Sequence, residues 1–132
     1  MAVLDGMGAR LSAFTNFLDG RFAGKRAILD RETGLRFELD GGRLIRPGEL
    51  SSGEQQVTVL AFEILFNSAN ATLALIDEPE LSLHVLWQDS LIDDLQRMGD
   101  SAGLKFLMAT HSPTILAGHP ELERSLDEMR WF

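Results

Sequence analysis

The segment Leu50-Ser51-Ser52-Gly53-Glu54-Gln55-Gln56 is a hydroxyl- and glycine-rich turn that runs directly into an apolar stripe at helical spacing. At a helix N-terminus such a turn presents unpaired backbone N–H groups, a hydroxyl and the positive end of the helix dipole, a combination suited to a phosphate oxygen. Ser51 with Glu54 is equally a plain capping box, and the tetrapeptide alone does not separate the two readings. A second segment, Leu73-Ala74-Leu75-Ile76-Asp77-Glu78, is an apolar run ending in two adjacent acids. Carboxylates at the C-terminal end of a buried strand lie where open α/β sheets place their ligands. Asp77 there can hold Mg²⁺ through water while Glu78 acts as a general base, and an acidic loop after a core strand is the alternative. In a third segment, Ala109-Thr110-His111-Ser112, a histidine follows another apolar strand on the same expected sheet edge, where it can hydrogen-bond a phosphate or an attacking water, and a structural histidine is the alternative.

The elements that must position these groups follow from periodicity. Met7, Leu11, Phe14, Phe17 and Leu18 recur at helical spacing, and with Gly6 and Gly8 near the start the expected helix covers residues 9–19. Residues 25–30 and 35–39 alternate around a turn at Arg31-Glu32-Thr33-Gly34, which predicts a β-hairpin, and Leu44-Ile45 adds a short strand before Pro47-Gly48. Val57, Leu60, Ala61, Ile64 and Leu65 form a stripe at i, i+3, i+4, i+7 and i+8, the face of a buried helix starting near Ser51. The unbroken apolar runs 73–76 and 104–109 read as parallel strands buried on both faces. Leu91, Ile92, Leu95 and Met98 mark a helix between them, and Ser112 with Pro113 starts another. The order is α/β. Leu122, Leu126 and Met129 give the tail a helical spacing.

At 132 residues and 45% apolar composition the chain can bury one core. It has no cysteine, so disulfides and thiolate metal sites are excluded and a reducing compartment, the cytoplasm, is the expectation. No apolar stretch is long enough to span a bilayer, and no signal peptide is expected. A formal charge of -8 gives no net attraction to nucleic acid, so direct nucleic-acid binding by this part is not expected.

Taken together, the three segments resemble the ABC-type ATPase superfamily, and more closely its soluble SMC-like, RecF-like and OLD-like branch, often labelled AAA-type ATP-binding proteins. The resemblance covers residues 50–113, with the motifs in the family's order and spacing. Residues 50–56 are similar to the signature motif, 73–78 to Walker B, 79–84 to the D-loop with Ser82 and His84, and His111 to the switch histidine. Ser52 and Glu54 stand where glycine and glutamine are commoner in the signature, and His84 where transporters usually have aspartate.

The resemblance implies two heads that dimerise head to tail, as a homodimer or heterodimer, around ATP and Mg²⁺. Glu78 and His111 would then be catalytic and Asp77 would serve the metal, each on its own head. Ser51, Ser52, Gly53 and Glu54 would face the nucleotide of the partner. Such a head also needs a G-x-x-x-x-G-K-[ST] phosphate cradle. The nearest segment, Gly20-Arg21-Phe22-Ala23-Gly24-Lys25-Arg26, has one residue too few between its glycines, arginine in place of Ser or Thr, and a helix-then-strand context. Lys25 is therefore expected to be a solvated strand residue. The expectation is the C-terminal half of a P-loop NTPase head. Residues 1–49 are its lead-in, 50–120 its core and 121–132 its tail, and it is inactive until a P-loop-bearing N-terminal half or subunit joins it. An effector such as a nuclease or toxin is a possible further partner. The alternative is a non-catalytic dimerisation partner, or a truncated fragment, that lends the signature to another subunit.

Overall fold

The computed structural model describes residues 2–67, 73–81 and 83–125. The first helix, α1 (Ala2–Arg21), is longer than the sequence predicts, because Gly6 and Gly8 lie within it. Glycine in a helix interior costs about 1 kcal/mol but does not terminate it. Helical spacing brings Ala13, Phe14 and Leu18 to one buried face, which Phe22 extends.

The chain then forms the expected meander of β1 (Lys25–Asp30), β2 (Gly34–Leu39) and β3 (Leu44–Ile45), all antiparallel, with Ala27 opposite Phe37 and Phe37 opposite Ile45. Asp30 Oδ1 closes the hairpin by accepting from the N–H groups of Glu32 and Thr33 at 3.0 and 2.8 Å. One face of this sheet, through Ala27, Phe37 and Ile45, enters the core.

Helix α2 (Ser52–Phe66) lies against α1, with Val57, Ala61, Ile64 and Leu65 buried. Phe14 meets Phe62 and Phe66 edge-on, and the buried Arg10 donates to Leu65 O at 2.6 Å, which ties α1 to the end of α2.

Strand β4 (Leu73–Asp77), the single turn α3 (Val85–Gln88), α4 (Leu91–Ala102), β5 (Lys105–Ala109) and the single turn α5 (Pro113–Leu116) complete the α/β portion. β4 and β5 pair in parallel, with Leu75 beside Leu107 and Asp77 beside Ala109. Gly99 lets α4 sit close to the start of β5, since a Cβ there would fall 2.5 Å from Leu104 O. Helix α4 is anchored to α1 through the buried Asp94, which pairs with Arg21 and, at 2.6 Å, with Arg97. Charges buried this way hold only while every partner is present.

The two parallel strands are not covered on both faces as their composition predicts. Ala74 and Ile76 are buried, but Leu73, Leu75 and Leu107 are 50%, 73% and 62% exposed. A run that is apolar throughout specifies two covered faces, and the described residues cover one. In the tail, Pro120–Leu122 is a 3₁₀ turn, and the helix expected from Leu126 and Met129 falls outside the described residues. Among the described residues no helix is long and apolar enough to cross a membrane.

Candidate functional site

Parallel pairing of β4 and β5 decides which side chains meet. With Asp77 in register with Ala109, the residues that follow each strand emerge at one edge of the sheet. Glu78 N–H donates to Ala109 O at 2.8 Å and extends the ladder one step. At that step Glu78 takes a φ of 45°, and among the described residues it is the one non-glycine with a positive φ. This left-handed backbone costs an L-residue about 1–2 kcal/mol, and such strain persists where the surroundings enforce it. The turn places the Glu78 carboxylate 3.5 Å from His111 Nε2. His111 is 88% exposed, so its ring faces outward, open to a ligand.

Beyond Glu78 the chain makes a 3₁₀ turn, Pro79–Leu81, that brings Glu80 back over the β5 edge. Its two oxygens accept from Thr110 Oγ1 and from the His111 N–H, both at 2.7 Å. Burial raises the Glu80 carboxyl, but hydrogen bonds from Thr110, from its own backbone and from His111 outweigh this and hold it below the usual range. Glu80 was not anticipated from sequence. Its signal was the strand register, which sets a third residue past Asp77 against the first past Ala109.

The other sequence-predicted group sits elsewhere. Ser51 caps α2 in a reciprocal box: its Oγ accepts from Glu54 N–H at 3.3 Å, and Ser51 N–H donates to Glu54 Oε2 at 3.0 Å. Lys25 is no solvated strand residue, because its ammonium reaches Glu54 Oε1 at 2.9 Å and both side chains are largely covered. Burial raises the Glu54 carboxyl, and hydrogen bonds from Lys25 and Ser51 with the lysine charge overcome that and lower it. The amides of Ser52 and Gly53, at the first two helical positions, have no acceptor within the helix. A Cβ at Gly53 would only touch Trp87 Nε1 at 3.5 Å, so packing within the chain does not require glycine there. Among the described residues no hydrogen bond or ion pair joins Ser51–Glu54 to Asp77, Glu78 or His111.

Of the remaining positions, His84 caps α3, its Nδ1 accepting from Leu86 N–H at 3.4 Å, and Ser82 lies outside the described residues. Ser112 caps α5 as expected. The cradle look-alike spans the last turn of α1 and the start of β1, so it lacks the strand-to-helix geometry that wraps phosphates. No cluster of three His, Cys, Asp or Glu able to hold a metal unaided occurs among the described residues.

The family model for the AAA domain described as putative AbiEii toxin, Type IV TA system, matches residues 6–117. Curated relatives include two lipoprotein-releasing system ATP-binding proteins LolD. The one from Paramagnetospirillum magneticum is 39% identical over 72 residues, 54% of this chain and 30% of the relative. That from Jannaschia sp. is 39% identical over 84 residues, 63% and 35% of the two chains. The chain thus spans about a third of the length of these relatives. Among solved structures, the SMC head domain from Thermotoga maritima superposes with a TM-score of 0.57 at 20% identity, covering 80% of this chain and 38% of that one. A structure described as structural biochemistry of ATP-driven dimerization and DNA stimulated activation of SMC ATPases gives 0.60 at 22% identity, covering 83% and 71%. At these identities the likeness is one of fold, that of the P-loop NTPase heads.

Proposed function

The chain belongs to the AAA-domain family that matches it, and from that premise we propose that it is the signature, Walker B and switch-histidine part of an ABC-type head that binds and hydrolyses ATP. The observation that carries this reading is the sheet edge, where Asp77 and a strained Glu78 end one parallel strand and His111 follows the other. Names of the curated relatives, ATP-binding proteins all, point the same way.

The residues present fit one side of the ligand. Mg²⁺ usually takes one or two protein carboxylates and completes its shell with water and phosphate, and Asp77 would hold it through a water molecule. When bound, it neutralises charge on the phosphate oxygens. Glu78 takes a proton from the attacking water as the water oxygen bonds the terminal phosphorus and the bridging P–O bond breaks. His111, open to solvent, hydrogen-bonds that water or a terminal phosphate oxygen. For the rest of the triphosphate these 132 residues hold no G-x-x-x-x-G-K-[ST], and the cradle comes from polypeptide outside them. The exposed Leu73, Leu75 and Leu107 suit a sheet face completed by that polypeptide.

Ser51, Ser52 and Gly53 serve a second nucleotide, held by a partner head. Their position off the carboxylate edge, the free amides of the first turn, and a glycine that packing within the chain does not need all favour a phosphate approaching from outside. Glu54 acts through Ser51, by capping. Residues 50–120 form the working core and residues 1–49 its lead-in. An enzyme reading is preferred to a silent partner because a subunit that only lends its signature has no use for a strained Glu78. The test is ATP turnover by this chain with and without a P-loop-bearing head half. Hydrolysis is expected only in the mixture, with Glu78→Gln retaining ATP unhydrolysed. Turnover by the chain alone, indifferent to Glu78→Gln, overturns the reading.

A further inference from the structure

Of the three acids at the sheet edge, Glu80 is the one whose oxygens are both already taken. Oε2 accepts from Thr110 Oγ1 and Oε1 from the His111 N–H. A carboxylate offers about four acceptor sites, and Glu80 uses one on each oxygen to hold the segment after β5. It is well placed to hold two loops together. Past Asp77 and Ala109 the strand ladder contributes one further bond, from Glu78 N–H to Ala109 O, and the next links between the two segments run through side chains. The 3.5 Å separation of Glu78 and His111 therefore needs a tie beyond the sheet.

We propose that Glu80 is that tie, a positioning residue whose carboxylate locks the turn after β4 to the loop after β5 and so sets Glu78 against His111. The inference rests on the hydrolytic reading of Asp77, Glu78 and His111. A second link, farther along, works with it. Ser112 Oγ donates to Gln88 Oε1 at 2.8 Å, and Gln88 Nε2 donates to Leu83 O at 3.1 Å. Thr110 Oγ1, while donating to Glu80, accepts from Ser112 N–H at 3.0 Å, which joins the two links. The turn after β4 and the helix α3 are thus each tied to the loop after β5.

Two readouts test the tie in the completed head. In Glu80→Ala, kcat falls about tenfold to 100-fold while KM for ATP stays within about twofold, because the chemistry loses alignment and the nucleotide contacts remain. The His111 amide exchanges with solvent at least about tenfold faster, and the amides of α1 and α2 are unaffected. Thr110→Val shifts both readouts in the same direction by less, and Thr110→Ser, which keeps the hydroxyl, restores them. Glu78→Gln is run in parallel to separate the two layers. If Glu78→Gln leaves turnover intact, the hydrolytic reading itself falls, and the inference with it. If Glu78→Gln stops turnover but Glu80→Ala leaves kcat or His111 exchange at the wild-type value, the tie alone is wrong.

Discussion

The start of α2 and the edge of β4–β5 both bear residue types suited to phosphate, yet they are built in opposite ways. At the first, the side chains of Ser51 and Glu54 satisfy one another three residues apart and Lys25 covers the remaining charge, so the side chains are at rest and only backbone amides face outward. At the second, Glu78 is held in a left-handed conformation and His111 is open to solvent, so the groups are held ready rather than satisfied. A site that waits for a ligand from another subunit can be part of a stable cap, whereas one that activates water must keep reactive atoms unsatisfied. Loss of the cap hydroxyl should therefore cost stability in the chain by itself, whereas loss of a side chain at the edge should cost turnover without costing stability.

The sharpest separation comes from His111→Ala. In the completed head it is expected to lower ATP turnover roughly 100-fold, a typical loss for a hydrogen-bonding catalytic group. The melting temperature should not move, because the ring is almost fully exposed. A drop in melting temperature together with intact turnover would make His111 structural and erase the contrast.

Ser51→Ala tests the other region. Loss of the cap removes about 1 kcal/mol of stability, read from the urea midpoint, and Ser51→Asp, which still caps, recovers most of it. If Ser51→Ala leaves the midpoint in place, the turn is not the settled cap described above.

A smaller effect belongs to Lys25. The Glu54 carboxyl is lowered in the folded chain, so its contribution is fully present above the ordinary carboxylate range and is lost as pH falls through the folded value. Lys25→Met should flatten that acid-side loss, by about 0.5 kcal/mol for a largely covered pair. Urea midpoints between pH 7 and pH 3 measure it, and parallel curves for the two proteins would contradict the pairing.

What was legible in the sequence divides along the same line. The capping box, the hairpin around Thr33 and Gly34 and the Ser112–Pro113 helix start are local patterns, in which neighbours a few residues apart settle each other. The α/β order and the strand ends carrying Asp77 and His111 were also legible, since apolar runs and their polar termini are contiguous. Glu80 meeting Thr110 was not, because it needs the register of strands about 30 residues apart. Lys25 meeting Glu54 depends on how the hairpin folds across α2, for which β1 alone carries no signal. The strain at Glu78 arises from continuing the β4–β5 ladder into a turn and leaves no mark in residue type. The apolar runs around Leu75 and Leu107 predict strands covered on both faces. Composition records what a strand is built to bury, and the described residues cover one face of this pair.

Glu78→Gly places the central claim, that the strained glutamate is the hydrolytic base, under the most direct test. Glycine adopts the positive φ freely, so relief of about 1–2 kcal/mol of strain, partly offset by glycine's greater unfolded-state freedom, leaves a net gain of about 0.5–1 kcal/mol. The same change removes the base. Measured side by side in the completed head, the urea midpoint should rise while ATP turnover falls at least about 100-fold, with Glu78→Ala losing turnover but gaining no stability. Turnover that survives Glu78→Gly, or a midpoint that falls with it, would contradict the account.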